Sequence, residues 1–262
     1  MTPVALTIAG SDPSGGAGLQ ADLKTFHQFG VYGMSVVTLL TVQNTRAVTA
    51  VERLDAELVR QQLAAVLEDI PPAAAKTGAL GSTAVIRMVA EQARDFAFPL
   101  VVDPVMISKH GAPLLDDAAA AALREHLLPR AFLVTPNVHE AAALTGLTLR
   151  SVDDLERAAR ALAARGPRHV LVKGGALGDE AVDVLVSDGV GRRLAAPRLD
   201  SRALHGTGCV LAAAITAGLA AGQDVAAAIT AAKVFVTAAI RTAPGLGGGL
   251  GPVNMHAERT AP

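Results

Sequence analysis

The sequence predicts a single doubly wound α/β domain with a mostly parallel central sheet flanked by helices. Three observations predict it. Short apolar runs alternate with helix-length segments nearly from end to end, which implies right-handed βαβ units with helices covering both faces. The 262 residues are 51% hydrophobic and 18% charged, enough to bury a sizeable core and incompatible with intrinsic disorder. No linker, fixed-period repeat or charge block interrupts the alternation. Residues 1–262 therefore read as one unit, with an irregular Gly-rich tail from about residue 244.

Each element has its own justification. Residues 4–8 are an apolar run closed by Gly10, and a helical segment follows at about 18–29. Residues 34–42, rich in Val, Thr and Leu, read as a strand buried on both faces. Residues 55–69 place Leu58, Gln62, Ala65 and Val66 at helical spacing and stop at Pro71-Pro72. A strand at 73–77, a helix at 82–96, a strand at 100–103, a helix at 116–127 and a strand at 132–135 follow. Ser151 is a helix cap, its hydroxyl accepting a backbone N–H, for a helix to about 164. A strand at 169–173 and a hairpin of 181–187 with 192–196 precede two Ala-rich helices at 207–221 and 225–242.

The composition excludes several classes. A net charge of −1 gives neither a nucleic-acid surface nor an anionic-membrane surface, because both need a basic excess. One cysteine forms neither an internal disulfide nor a multi-cysteine zinc site. The first basic side chain is Lys24, so no charged segment introduces a secretory signal. The uncharged stretches 25–45 and 203–223 are too polar or too rich in Ala and Gly to cross a membrane. The expectation is a soluble, reduced, cytoplasmic protein that meets a small molecule rather than a nucleic acid or a membrane.

In such sheets ligands sit beyond the carboxyl ends of the strands, so the residues after each strand carry the functional signal. After the first strand, Gly10-Ser11-Asp12-Pro13-Ser14-Gly15-Gly16-Ala17-Gly18 is a loop whose backbone can approach a ligand closely, or an ordinary flexible turn. Gly16-x-Gly18-x-x-Ala21 loosely matches a dinucleotide fingerprint, but no Asp or Glu stands between Asp22 and Glu52 to bind a ribose. Gly206-Thr207-Gly208-Cys209 opens an apolar helix. Its backbone N–H groups and the helix dipole suit a phosphoryl group in flight. Cys209 is then either a thiolate base with a lowered pKa or a small apolar core residue. Asp103, Asn137, Glu140, Lys173 and Lys76 also follow strands. Together they fit a Mg-phosphate site in which carboxylates hold metal and lysines hold phosphate oxygens.

The segments 9–25, Val102-Asp-Pro-Val-Met106, Thr135-Pro-Asn137 with Glu140-Ala141, Lys173-Gly-Gly175 and His205-Gly-Thr-Gly-Cys209 occur in this order. The set resembles the hydroxymethylpyrimidine/phosphomethylpyrimidine kinases of thiamine biosynthesis, within the ribokinase-like superfamily, and covers nearly the whole chain. The resemblance implies a ribokinase-like fold with a sheet of about eight to ten strands, a homodimer, and ATP and Mg2+ as cofactors. It implies phosphorylation of 4-amino-5-hydroxymethyl-2-methylpyrimidine and then of its monophosphate in one site. Cys209 would be the base where most of the superfamily has Asp, and Gly206, Thr207 and Gly208 would form the anion hole. Asn137 and Glu140 would organise Mg2+, and Asp103 joins Glu140 as its carboxylate partner. Lys173 and Lys233 would lie near the nucleotide phosphates, and Gln43, Gly10 and Asp22 would hold the pyrimidine. A Met usual after the Lys-[Ile/Thr]-Gly motif is replaced by Ala79, so the ring pocket is expected either to be looser or to be completed by Met106.

Two rivals are kept. A pyridoxal kinase of the same subgroup shares most of these loops, and Gln43-Asn44-Thr45 after the second strand favours the pyrimidine over it. A non-catalytic vitamin- or nucleotide-binding protein would not need Cys209 behind an intact anion hole together with Glu140.

Overall fold

The strands fall where apolar β-branched runs meet Gly, Pro or Asp. In the computed structural model, which describes residues 2–108, 111–175, 177 and 180–259, they join one sheet. The strands are β1 (Val4–Ser11), β2 (Tyr32–Gln43), β3 (Val48–Arg53), β4 (Ala74–Thr77), β5 (Leu100–Val102), β6 (Leu133–Val134), β7 (His169–Val172), β8 (Asp183–Ser187) and β9 (Val190–Leu194). Their order across the sheet is β3-β2-β1-β4-β5-β6-β7-β8-β9. The run from β2 to β7 is parallel, and β3, β8 and β9 are antiparallel margins. The chain leaves β1 toward β2 and later returns to its other side as β4. The strand order therefore reverses at β1 and β4, and the crevice beyond their carboxyl ends is the ligand position for such a sheet.

Helices α1 (Gly18–Gln28), α2 (Ala56–Asp69), α3 (Thr83–Gln92), α4 (Asp117–Ala122), α5 (Val138–Thr145), α6 (Val152–Ala163), α7 (Thr207–Ala220) and α8 (Val225–Arg241) cover the two faces. Alternate residues of β1 feed two cores: Leu6 and Ile8 pack with the α2–α6 side, and Ala5 with the side of α1, α7 and α8. Every residue from Val210 to Ala220 is buried, because α7 is enclosed by α1, α8 and the sheet. An all-round apolar helix of this kind needs such enclosure. Small residues let it sit close to its neighbours: a Cβ on Gly218 would crowd Ala228 of α8.

Four local expectations are corrected. β2 is not buried on both faces: Leu40 and Val42 are exposed where it pairs with β3, a strand absent from the sequence reading. The Asn44 carboxamide accepts from the N–H groups of Arg46 and Ala47 and closes that hairpin. The inner stripe of α2 is Val59 and Leu63; Leu58 and Ala65 face water, and Gln62 instead bonds the backbone of Val37. The helix expected at 116–127 is α-helical only to Ala122, then runs through a π turn (Leu123–Leu127) and a 3-10 turn (Leu128–Arg130) that holds Pro129. α5 was also unforeseen, although Asn137 and Glu140 form a capping box and Gly146 takes the left-handed C-cap. The tail from 244 to 259 is irregular, as expected, and its last three residues lie outside the described ones.

Candidate active site

Two glycine loops meet over the carboxyl ends of β1 and β4. Gly206 begins α7 at φ +82, and a Cβ there would run into the carbonyl oxygen of Gly16. Gly18, the first residue of α1, has φ +57, and its Cβ would strike the carbonyl oxygen of Gly10. Only glycine permits both the conformation and the approach. The contact brings the start of α7 against the start of α1 and opens a cavity of about 1220 Å³ between them and the strand ends.

At one end lies the charged cluster. Lys173, just past β7, donates to Asp103, just past β5, at 3.0 Å, and Thr135 donates to the same carboxylate at 3.2 Å. A Cβ on Gly208 would stand 3.3 Å from Lys173 Nζ and 3.8 Å from Asp103 Oδ2, so the first turn of α7 sits directly on this pair. Burial pulls the Lys173 ammonium down, but Asp103 and Glu140 outweigh it and hold its pKa above the usual lysine range. Burial pushes Glu140 up to about 7, with Lys173 opposing and Asp103 adding to the rise. Lys233 of α8 reaches the same cavity from the far wall. It is held by Asp183 Oδ2 at 2.6 Å and by the Ala181 carbonyl at 3.0 Å. Asp183 Oδ1 accepts the N–H of Gly174, so one carboxylate anchors both Lys233 and the glycine turn after Lys173.

At the other end, Gln43, Ala79 and Met106 line the wall. Asp12 accepts from the N–H groups of Ser14, Gly16 and Ala17 and from His205 Nε2 at 2.8 Å. Burial pushes Asp12 up, but the hydrogen bonds from His205 and Ser14 win and hold the carboxyl below its usual range. The same His205 nitrogen is 3.1 Å from the Gln43 amide nitrogen.

The structure gathers Gly10, Gln43, Asp103, Met106, Asn137, Glu140, Lys173, Gly206, Thr207, Gly208, Cys209 and Lys233 around one cavity. Two expectations need correction. Asp22 is fully buried beneath the cavity rather than on its wall, where it accepts from Lys76 Nζ at 2.7 Å and Thr7 Oγ1 at 2.6 Å. It supports the floor through Lys76, which does face the cavity. Burial pulls Lys76 down, but Asp22, with Asp103 behind it, keeps its ammonium above the usual range. The Cys209 thiol is not lowered either. Burial, with Asp22 acting the same way, pushes it up to about 12, against Lys76 and the N–H of Gly18. Desolvation beats the helix dipole here, so Cys209 rests as a neutral thiol.

The residues present fit a magnesium ion. Asp103 and Glu140 offer hard oxygens on one edge. Burial, with Asp103 adding to it, makes the charged form of Glu140 costly, and an added cation would offset that cost. Among the described residues no group of three or more His, Cys, Asp or Glu is placed to hold a metal, so phosphate oxygens and water would complete the shell.

A model of the phosphomethylpyrimidine kinase family matches residues 12–254, a span that contains Gly15 to Gly18, the Gly206 loop and the charged cluster. The chain belongs to this family. It is 50% identical to the hydroxymethylpyrimidine/phosphomethylpyrimidine kinase of Streptomyces coelicolor, covering 96% of this chain and 94% of that one. It is similar to a solved phosphomethylpyrimidine kinase of Clostridium difficile, with 44% identity, a TM-score of 0.80, and 89% and 97% of the two chains covered. An ADP complex of Bacillus subtilis pyridoxal kinase superposes with a TM-score of 0.90 at 39% identity, over 98% of both chains. Within this phosphomethylpyrimidine kinase scaffold, sequence reasoning assigned no part to Asp12, His205 or Asp183. Asp12-x-Ser14 after a strand signals a side chain that caps its own loop. His205 and Asp183 gave no local signal, because their partners lie far away in the chain.

Proposed function

We propose that this enzyme transfers the γ-phosphoryl group of ATP to 4-amino-5-hydroxymethyl-2-methylpyrimidine, and then to the resulting monophosphate, in thiamine biosynthesis. The observation that carries the reading is one continuous cavity with the Lys173–Asp103–Glu140 cluster and the start of α7 at one end and the Gln43 wall at the other. The family and the names of its relatives support the same chemistry.

Phosphoryl transfer passes through a loose transition state, so positioning and charge do most of the catalysis. Lys173 and Lys233 hold phosphate oxygens, and among the described residues no side chain caps the N–H groups at the start of α7, which face the transferred group. Asp103 and Glu140 hold Mg2+, which supplies charge neutralisation on the phosphate oxygens when bound. Gln43 meets the aminopyrimidine edge, and Met106 closes the wall that Ala79 leaves short. Cys209 takes the proton of the substrate alcohol. A thiol raised to about 12 acts through its small ionised fraction, which Lys76 and Gly18 favour. The second transfer needs less of it, because a phosphate monoester loses its second proton near pH 6 and attacks as a dianion.

We further propose a cytoplasmic homodimer. No helix among the described residues is long and apolar enough to cross a membrane, and Leu40 and Val42 form an exposed apolar pair on β2 that a second copy would cover. Light scattering on the purified protein checks the oligomer. ATP consumption with the pyrimidine alcohol, its monophosphate and pyridoxal in parallel tests the activity, and preference for pyridoxal overturns the substrate.

A further inference from the structure

His205 Nε2 stands 2.8 Å from Asp12 Oδ2 and 3.1 Å from the amide nitrogen of Gln43. An imidazole nitrogen either donates or accepts; it does not do both at once. Asp12 decides which. Its ionised carboxylate only accepts, and it already gathers the N–H groups of Ser14, Gly16 and Ala17. A bare Nε2 would set its lone pair against a carboxylate oxygen at a buried contact. The proton therefore sits on Nε2 and is donated.

The consequence passes to Gln43. Its carboxamide ends are interchanged by a half-turn about the last side-chain bond, and the network selects between them. The atom placed 3.1 Å from Nε2 is the amide nitrogen, and once Nε2 carries a proton two donors face each other there. The half-turn that brings Oε1 to His205 removes that clash, lets Asp12 and Gln43 share the proton, and leaves the NH2 group for the cavity. The backbone of His205 is fixed as well: its N–H donates to the Gly251 carbonyl at 3.1 Å, and it pairs with Pro252 in the tail. Its successor is Gly206, so the residue that ends the substrate-side network also begins the phosphate-side loop.

We propose that His205 is a positioning residue that sets substrate choice, by fixing the Gln43 carboxamide as a hydrogen-bond donor toward a ring-nitrogen acceptor. This rests on the proposed role of Gln43 at the pyrimidine edge. The test compares His205→Leu, His205→Gln and Gln43→Leu by steady-state kinetics with ATP and the hydroxymethylpyrimidine. His205→Leu should raise the pyrimidine KM roughly tenfold or more, with ATP KM changed by less than about threefold. His205→Gln should recover most of that loss, since its amide carries N–H donors to the same place. Equal rises in both KM values, with no recovery in His205→Gln, mean a merely structural role and overturn the proposal.

Should His205→Leu not fold, the wild-type tautomer decides. Nitrogen-15 NMR of the His205 ring should show a proton on Nε2, and a bare Nε2 ends the proposal. An unchanged pyrimidine KM in Gln43→Leu would instead remove Gln43 from the ring site. A rise in Gln43→Leu with none in His205→Leu removes only the part given to His205. Absence of pyrimidine-dependent ATP consumption by the wild type ends the functional reading itself.

Discussion

The two ends of the cavity are built by opposite means. The phosphate end rests on the parallel centre of the sheet, where Asp103, Thr135 and Lys173 follow three adjacent strands and lock one another. Beneath it the buried Lys76–Asp22 pair ties β4 to α1. The substrate end hangs on the antiparallel margin, where Gln43 closes a hairpin whose outer face is open to water. One end is fixed by buried charge, and the other by a short hydrogen-bonded chain that a few substitutions can rearrange. The difference sharpens the proposed roles: on that proposal rate belongs to the rigid centre, and substrate choice to the adjustable margin.

The largest test of that division is Cys209→Ala. Turnover on the alcohol should fall by roughly two to four orders of magnitude, the range for general acid–base groups. Turnover on the monophosphate should fall far less, because its nucleophile is already a dianion. With a base pKa near 12, wild-type turnover on the alcohol should climb roughly tenfold per pH unit above pH 7, and the monophosphate reaction should stay nearly flat. Equal losses on both acceptors would take the proton-transfer role from Cys209.

Next comes the floor beneath the rigid end. Lys76→Met leaves Asp22 buried without its cation, and Asp22 Oδ1 already has no hydrogen-bond partner among the described residues. Stability should drop by roughly 3–5 kcal/mol, the cost of breaking a buried pair from one side, as read by urea unfolding. A loss below about 1 kcal/mol would show the pair to be dispensable.

At the margin, Gln43→Ala should weaken pyrimidine binding by roughly ten- to a hundredfold, since unpaired polar atoms cost about 1–3 kcal/mol per group. ATP KM should barely move. The opposite pattern would transfer Gln43 to the nucleotide end and erase the division.

The smallest effect concerns Glu140. Its folded pKa lies above its unfolded one, so its contribution to stability is full below about pH 4.5 and is lost as pH rises toward 7. Glu140→Gln keeps the cap acceptor but removes the titration. The variant should therefore gain on the wild type by roughly 1–3 kcal/mol between pH 4.5 and 8. Parallel urea curves at the two pH values would contradict the buried, uncomfortable carboxylate.

Much of the scaffold was legible because its signals are local. Alternating apolar runs gave eight of the nine strands and most of the helices, and glycines placed both loops. β3 escaped because its burial is slight, leaving no clean alternation to read. α5 escaped because Asn137 and Glu140 were read as ligands before they were read as a cap, although they serve as the cap in the fold.

The sequence by itself determined the element order, the parallel sheet and the chemistry lined up along its carboxyl edge, because periodicity, Gly conformations and strand ends depend on neighbours in the chain. Only the tertiary structure decided the charge states and the partners. Cys209 is a neutral thiol because burial outweighs the dipole of its helix. Asp22 lies under the cavity because Lys76 arrives from 54 residues away. His205 meets Asp12 across a sequence gap of 193. Solvation and pairing are sums over space, and the order of residues along the chain does not fix them until the sheet is assembled.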